Sequence, residues 1–298
     1  MKHAYLIMAH GNWKILKILL MLLDDEKNDI YLHVDSKSKM PDEIKNVLKK
    51  SKFIKIKAIK CYWADFTQVK VTINLLKAAV NAEEQYSYYH LLSGVDLPIK
   101  SNKERYDYFE SSGKEFIGIV PKEVYYSVRR VQYYHILLHN TIYRKSYLLK
   151  GIDRILEYIQ KVAGINRLKD NNWKIIDGWT WFSITDDFCR YVLDKERLIY
   201  KIFSYSIASD ELFIQTLIYN SPYYEKIYDK TDLKKGSMRH IDWERGKPYI
   251  WGQEEGDFEN LMRSPFMFAR KFDEKYFEIV EQIYEEIDRR NRECIVKN

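Results

Sequence analysis

Two hydrophobic patterns alternate over the first hundred residues. Short apolar runs, Tyr5 to His10, Ile30 to Val34 and Tyr88 to Leu92, read as buried strands, and Phe53 to Ile59 alternates apolar residues with lysine as a half-buried strand does. Between them, Trp13 to Leu23 and Phe66 to Ala82 repeat apolar residues at helical spacing, with Val69, Ile73, Leu76, Ala79 and Val80 on one face of the second. Pro41 and Asp42 read as the start of another helix, because proline suits a first helical turn. The rhythm predicts an α/β fold, with a mostly parallel central sheet and helices on both faces. Ligands bind such sheets beyond the carboxyl ends of the strands. That rule singles out His10, Asp35 and Asp96.

The middle of the chain breaks the rhythm. Residues 121–172 are Tyr-rich and basic, with an amphipathic helix from Ile152 to Val162, and read as an insertion or lid within a single domain spanning 1–298. Beyond it, Trp179 to Ile184 reads as a strand, Thr185 to about Leu198 as a helix, and Asp210 to Tyr219 as another. A last helix, Asp273 to Arg290, carries Tyr276, Ile279, Val280, Ile283 and Ile287 on one stripe.

Composition narrows the class. A chain of 298 residues, 46% apolar and 31% charged, can bury a large core and is not a disordered polymer. Eighteen uncharged apolar residues never occur in a row, so no transmembrane helix is expected. The start, Met1 to Tyr5, lacks the pattern of a signal peptide. Cys61, Cys189 and Cys294 are widely spaced with no C-x-x-C pair, which favours thiols in a reducing cytoplasm. The net charge is +6, and residues 121–170 alone hold ten Lys/Arg against four acids. This excess suits an anionic partner (a phosphorylated substrate, a membrane surface or a nucleic acid), or else a solvated basic face. His135 and His139 stand four apart, but no third ligand is evident and no metal is expected.

Several catalytic signatures are missing: Gly-x-Gly-x-x-Gly, the P-loop, Gly-x-Ser-x-Gly and His-Glu-x-x-His. An Asp-x-Asp pair for a divalent ion is also absent between the strands. What remains is a series of clusters: His33-Val34-Asp35-Ser36-Lys37, Tyr62-Trp63-Ala64-Asp65, Leu91 to Pro98, Ser209-Asp210-Glu211 and Phe268-Ala269-Arg270-Lys271-Phe272-Asp273. Taken alone, Ser-Asp-Glu is an ordinary helix start. Arg129-Arg130 beside Tyr133-Tyr134 fits an acceptor contact or a generic basic surface. Trp179 and Trp181 fit a sugar face or the core, and their apolar strand favours the core.

In their order, over some 270 positions, these clusters resemble the core-2/I-branching glycosyltransferase family, which includes β-1,6-N-acetylglucosaminyltransferases and peptide O-xylosyltransferases. The resemblance implies a GT-A-like nucleotide-sugar fold and an inverting transfer that needs no divalent metal or other cofactor. It makes Glu211 the catalytic base. It assigns Ala9, His10, Asp35 and Trp63 to the nucleotide-sugar, with Lys271 on the diphosphate. The second diphosphate cation falls in a shortened loop, where Arg245 is the candidate and Arg239 a less direct one. Trp243, Arg130 and Asp96 are assigned to the acceptor. The implied donor is a UDP-sugar, UDP-GlcNAc or UDP-xylose, and the implied acceptor a hydroxyl of a glycan, glycolipid or polysaccharide. A soluble bacterial member acting on a lipid-linked acceptor would rest the basic stretch Tyr143 to Lys169 on an anionic inner membrane leaflet. The alternatives are a Tyr-rich nucleic-acid-binding protein, for which no RNA-binding signature is present, and an inactive member serving as a scaffold.

Overall fold

The computed structural model describes residues 1–169 and 171–296. Asp170, counted above among the acids of the basic segment, lies outside the described residues. The strands are β1 (Lys2–Ala9), β2 (Asn28–Val34), β3 (Lys52–Lys55), β4 (Tyr86–Ser93), β5 (Leu97–Pro98), β6 (Phe116–Ile119), β7 (Gly178–Thr185), β8 (Arg239–Ile241) and β9 (Phe268–Arg270). The helices are α1 (Trp13–Leu23), α2 (Thr67–Val80), α3 (Asn102–Ser112), α4 (Tyr125–Gln132), α5 (Tyr147–Val162), α6 (Asp186–Asp194), α7 (Glu196–Phe203), α8 (Phe213–Tyr219), α9 (Leu233–Ser237), α10 (Asp257–Arg263) and α11 (Phe277–Val296).

The main sheet has the order β3-β2-β1-β4-β7-β6. β1 pairs in parallel with β2 and β4, β2 in parallel with β3, and β7 runs antiparallel to both β4 and β6. Period-two alternation divides β1 between two cores. Ala4 and Leu6 pack with α2, α6 and α8, while Tyr5, Ile7 and Ala9 pack with α1 and α11. A small second sheet, β5-β9-β8, adjoins the latter core and carries the Phe-Ala-Arg strand. In the main register Ala9 faces Val34, and Met8 faces Ser93. The ends of β1, β2 and β4 therefore open side by side.

Some expected elements differ. The helix expected after Pro41 is a single 3-10 turn, Asp42–Asn46, because only Ile44 among its residues is buried and a longer helix would have nothing to pack. β3 stops at Lys55 because the chain beyond it bonds elsewhere: the Ile59 N–H donates to His33 Nε2 (3.1 Å), and the Ile59 carbonyl accepts from Ser36 N–H (3.2 Å). The helix expected from Thr185 to Leu198 is two, α6 and α7, broken at Lys195 so that Ile199, Ile202 and Phe203 reach the core. The Ser-Asp-Glu segment is a separate 3-10 turn, Ser209–Glu211, ahead of α8. Residues 121–172 connect β6 to β7 and carry α4 and α5.

Candidate active site

Positive charge gathers at the strand ends. Asp35, buried just past β2, donates its N–H to the Ala9 carbonyl (2.9 Å), and its carboxylate accepts from the Lys37 N–H (2.9 Å) and pairs with the Lys37 ammonium (3.2 Å). Ser38 Oγ donates to the His10 carbonyl (2.8 Å), so the loops after β1 and β2 are tied together. Burial lowers the His10 pKa; Asp35 opposes this, and the charges of Lys271, Lys37 and Arg270 add to it. Lys271, just past β9, is likewise lowered by burial first, then by Arg270 and Arg144, against the pull of Asp273 and Asp96. Arg144 stands 5.5 Å from the centroid of half-exposed Trp63, within cation–π range. Neither Lys271 nor Arg144 forms an ion pair or side-chain hydrogen bond among the described residues. Two cations that repel each other, one of them over an exposed aromatic ring, are chemically suited to a stacked, multiply charged anion.

A carboxylate lies on a turn whose backbone is hydrogen-bonded to the loop of Trp63. The Ala208 N–H donates to the Ala64 carbonyl (2.7 Å), linking the Trp63 loop to the turn that bears Glu211. Ala64 (φ 59°) and Ala208 (φ 46°) are both left-handed, at a cost of roughly 1–2 kcal/mol each for a residue with a Cβ. Strain of this sort concentrates at functional sites. Arg130 holds the turn. Its Nε donates to the Ile207 carbonyl (3.0 Å), one terminal nitrogen to Asp177 (2.8 Å), and the other to the Ala208 carbonyl (2.6 Å) and to Glu211 Oε2 (2.9 Å). Burial pushes the Glu211 carboxyl up from 4.5 to about 7, the charges of Asp210 and Asp177 add to the rise, and Arg130 opposes it. Asp210 is also raised by burial, and accepts from Thr180 Oγ1 (3.0 Å) while its other oxygen has no partner among the described residues. A half-exposed carboxylate titrating near neutrality, fixed by a buried arginine, is suited to general base catalysis.

The sequence profile of the core-2/I-branching enzyme family matches residues 3–260. The chain belongs to that family. Among similar proteins, a human N-acetyllactosaminide β-1,6-N-acetylglucosaminyl-transferase is 24% identical over 91% of this chain and 68% of the relative. Its mouse counterpart is 22% identical over the same shares. A human protein named probable β-1,3-galactosyl-O-glycosyl-glycoprotein β-1,6-N-acetylglucosaminyltransferase 7 is 32% identical over 36% of this chain and 26% of its own length. Membership in the branching family makes this chain a glycosyltransferase.

Within this branching-family fold, several residues singled out from sequence have other tasks. Arg245 is no free cation: it donates to Asp242 (2.6 Å), Glu254 (2.8 Å) and Asp257 (2.9 Å), and this triple pairing cancels the charge a diphosphate would need. Arg239 is buried, bonds the carbonyls of Ser237 (2.7 Å) and Phe182 (2.9 Å), and burial lowers it to about 9. Asp96 is buried under Arg270 (2.7 Å) and accepts from Ser93, so it braces a cation and leaves no face for an acceptor. Arg130, at 6% exposure, acts through Glu211 and the turn, not as an acceptor contact. Trp243 lies half-exposed on the turn after β8. Trp179 and Trp181 are half-buried on β7, and Trp181 packs against the core on one side while taking the Arg270 guanidinium at 4.6 Å. His135 and His139 pair with different carboxylates, Asp153 (2.8 Å) and Asp65 (2.9 Å), and no cluster of metal-ligating side chains forms among the described residues.

Arg144 and Asp177 were missed by sequence reasoning, whereas Arg270 stood in the cluster Phe268 to Asp273 beside Lys271. Arg144 sits in a segment whose only sequence signal is bulk charge.

Proposed function

We propose that this enzyme transfers N-acetylglucosamine from UDP-GlcNAc to a hydroxyl of a glycan, glycolipid or polysaccharide, with inversion at the anomeric carbon, on a GT-A-like fold. Glu211 takes the proton of the acceptor hydroxyl as its oxygen attacks the anomeric carbon. The bond to UDP breaks with its electron pair passing to the β-phosphate oxygen, and the products are the extended glycan and UDP. Lys271 and Arg144 stabilise the charge on that leaving group in the place where many transferases use a divalent ion. Asp35 and Trp63 hold the nucleoside, Ala9 and His10 line the strand end beside them, and Trp243 offers a flat apolar face to the acceptor sugar. The half-buried thiol Cys61, pushed up to about 12 by desolvation, and the buried thiol Cys189 suit a reducing cytoplasm.

The observation that carries this reading is the Ala208–Ala64 hydrogen bond, which sets the turn of Glu211 against the loop of Trp63 in a chain of this family. The test is UDP release from a panel including UDP-GlcNAc and UDP-xylose, with EDTA present, for the wild type and Glu211→Gln. Release from UDP-GlcNAc that survives EDTA and collapses in the variant is expected. Preference for UDP-xylose would correct the donor; loss of activity in EDTA would overturn the charge assignment.

A further inference from the structure

A helix on a protein surface ordinarily turns its apolar stripe inward and its charges outward. α5 is mounted the other way round. Tyr147, Leu148, Ile155, Tyr158, Ile159 and Val162 are between 54% and 89% exposed. At about 100° per residue these six fall in an arc of roughly 120°. Polar side chains on the opposite side of the helix tie it to the rest of the protein. Buried Asp153 meets His135 Nδ1 (2.8 Å) and the Tyr143 hydroxyl (3.2 Å). Glu157 accepts from Arg129 Nε (2.8 Å), and Gln160 bonds both the N–H and the carbonyl of Tyr134 (2.8 and 3.0 Å). These five contacts fix the rotation of the helix. Rolling the apolar arc inward would strand a buried carboxylate and break each of them.

We propose that α5 lies in the headgroup layer of an anionic lipid bilayer, with its apolar arc among the upper acyl carbons. Charge selects this occupant. Lys150, Arg154 and Lys161 follow one another along one edge of the arc, beside Tyr147 and Tyr158. Basic residues flanking an apolar arc, with tyrosines at the border, are what the boundary between phosphate and hydrocarbon favours. A nucleic acid would leave the apolar arc in water, and a second copy of the chain would bring a second basic edge against the first. No helix among the described residues is long and apolar enough to cross a membrane, so the contact is in-plane. The inference does not depend on the transferase reading, since lipid binding is scored without any sugar donor.

The experiment is co-sedimentation of the full chain with vesicles of phosphatidylcholine alone and of phosphatidylcholine mixed with phosphatidylglycerol. It compares wild type with Leu148→Asn/Ile155→Asn/Ile159→Asn and with Lys150→Gln/Arg154→Gln/Lys161→Gln. All six positions face outward or lie at the edge, and unchanged melting temperatures would verify that the variants fold. Wild type is expected to bind the mixed vesicles and not the neutral ones, more weakly at high salt, with each triple variant at least tenfold weaker. Wild-type protein that stays in the supernatant would overturn the proposal. So would asparagine variants that bind as well as wild type, or a dimer in sedimentation equilibrium that the asparagine substitutions dissolve while vesicle binding is absent.

Discussion

Glu115, just before β6, and Glu211, on the turn before α8, are both pushed up to about 7 by burial, yet their surroundings differ in every other respect. The Glu115 carboxylate lies wholly inside the fold, where it accepts from the Thr185 N–H (2.9 Å) and hydroxyl (2.6 Å) and, with only the more distant charge of Lys226 opposing its rise, forms no ion pair among the described residues. Glu211 is half-exposed, held by Arg130, and sits on a strained turn tied to the loop of an exposed tryptophan. A raised carboxyl therefore reports desolvation and does not by itself report a role. Reach toward an acceptor and a cation that fixes orientation separate a base from a structural carboxyl.

The largest effect that tests this distinction is on Glu211. Glu211→Gln should lower kcat by on the order of a thousandfold with little change in melting temperature. Because the base must be ionised, wild-type kcat/KM should fall below about pH 7, the value to which Glu211 is raised. A variant retaining wild-type turnover would transfer the role to another residue. Next in size is Lys271→Ala, which removes charge at the leaving group and should cost about 2–4 kcal/mol at the transition state. Arg144→Ala should cost less, about tenfold, because its exposed charge is better screened. Neither should move the acidic limb, since they act on UDP and not on Glu211. An Arg144→Ala enzyme as fast as wild type would leave Lys271 as the lone cation at the phosphate.

Arg130 sharpens the comparison through pH. It opposes the rise of the Glu211 carboxyl. Arg130→Gln should thus carry the acidic limb of kcat/KM upward, by roughly one pH unit. Arg130→Lys keeps the charge with fewer donors and should hold the limb near its wild-type place while lowering kcat. An arginine that only supported the fold would lower both parameters without moving the limb.

The sheet of the first hundred residues was legible because α1 and α2 carry a sustained period of 3.6, and β1, β2 and β4 are continuous apolar runs between them. The second sheet was not, since strands of two or three residues such as β5, β8 and β9 are too short to show a period. Two helices mark the limit of periodicity. α5 and α11 have similar apolar stripes, but α11 buries Ile279, Val280, Ile283 and Ile287, whereas α5 exposes its stripe. The pattern gives a helix an apolar face and leaves open what covers it. The strand-end residues and Glu211 were legible from topology and resemblance. The partnership of Trp63 with Arg144 was not, because a charged residue in a basic run carries no mark of the ring it will cover. Pairing hid in the same way: Arg130 and Arg245 read from the sequence as contacts for the acceptor and the diphosphate, and only their carboxylate partners mark both as braces.

The smallest effect concerns Glu115, and its sign is opposite to that of an ordinary ion-paired carboxylate. Folding raises its pKa from 4.5 to about 7, so the fold favours the protonated form. The stability this provides is fully present below pH 4.5 and is lost as pH climbs through about 7. Above that pH the folded protein must hold an unpaired carboxylate in its interior, which is costly. Glu115→Gln keeps the shape and an acceptor for Thr185 without the charge. Its melting temperature should therefore exceed that of wild type by a few degrees at pH 8, with the advantage shrinking toward pH 5, while the pH profile of kcat/KM stays in place. An acidic limb that moved with this substitution would mean that Glu115, not Glu211, governs the titration of the enzyme, and the distinction between the two carboxyls would fail.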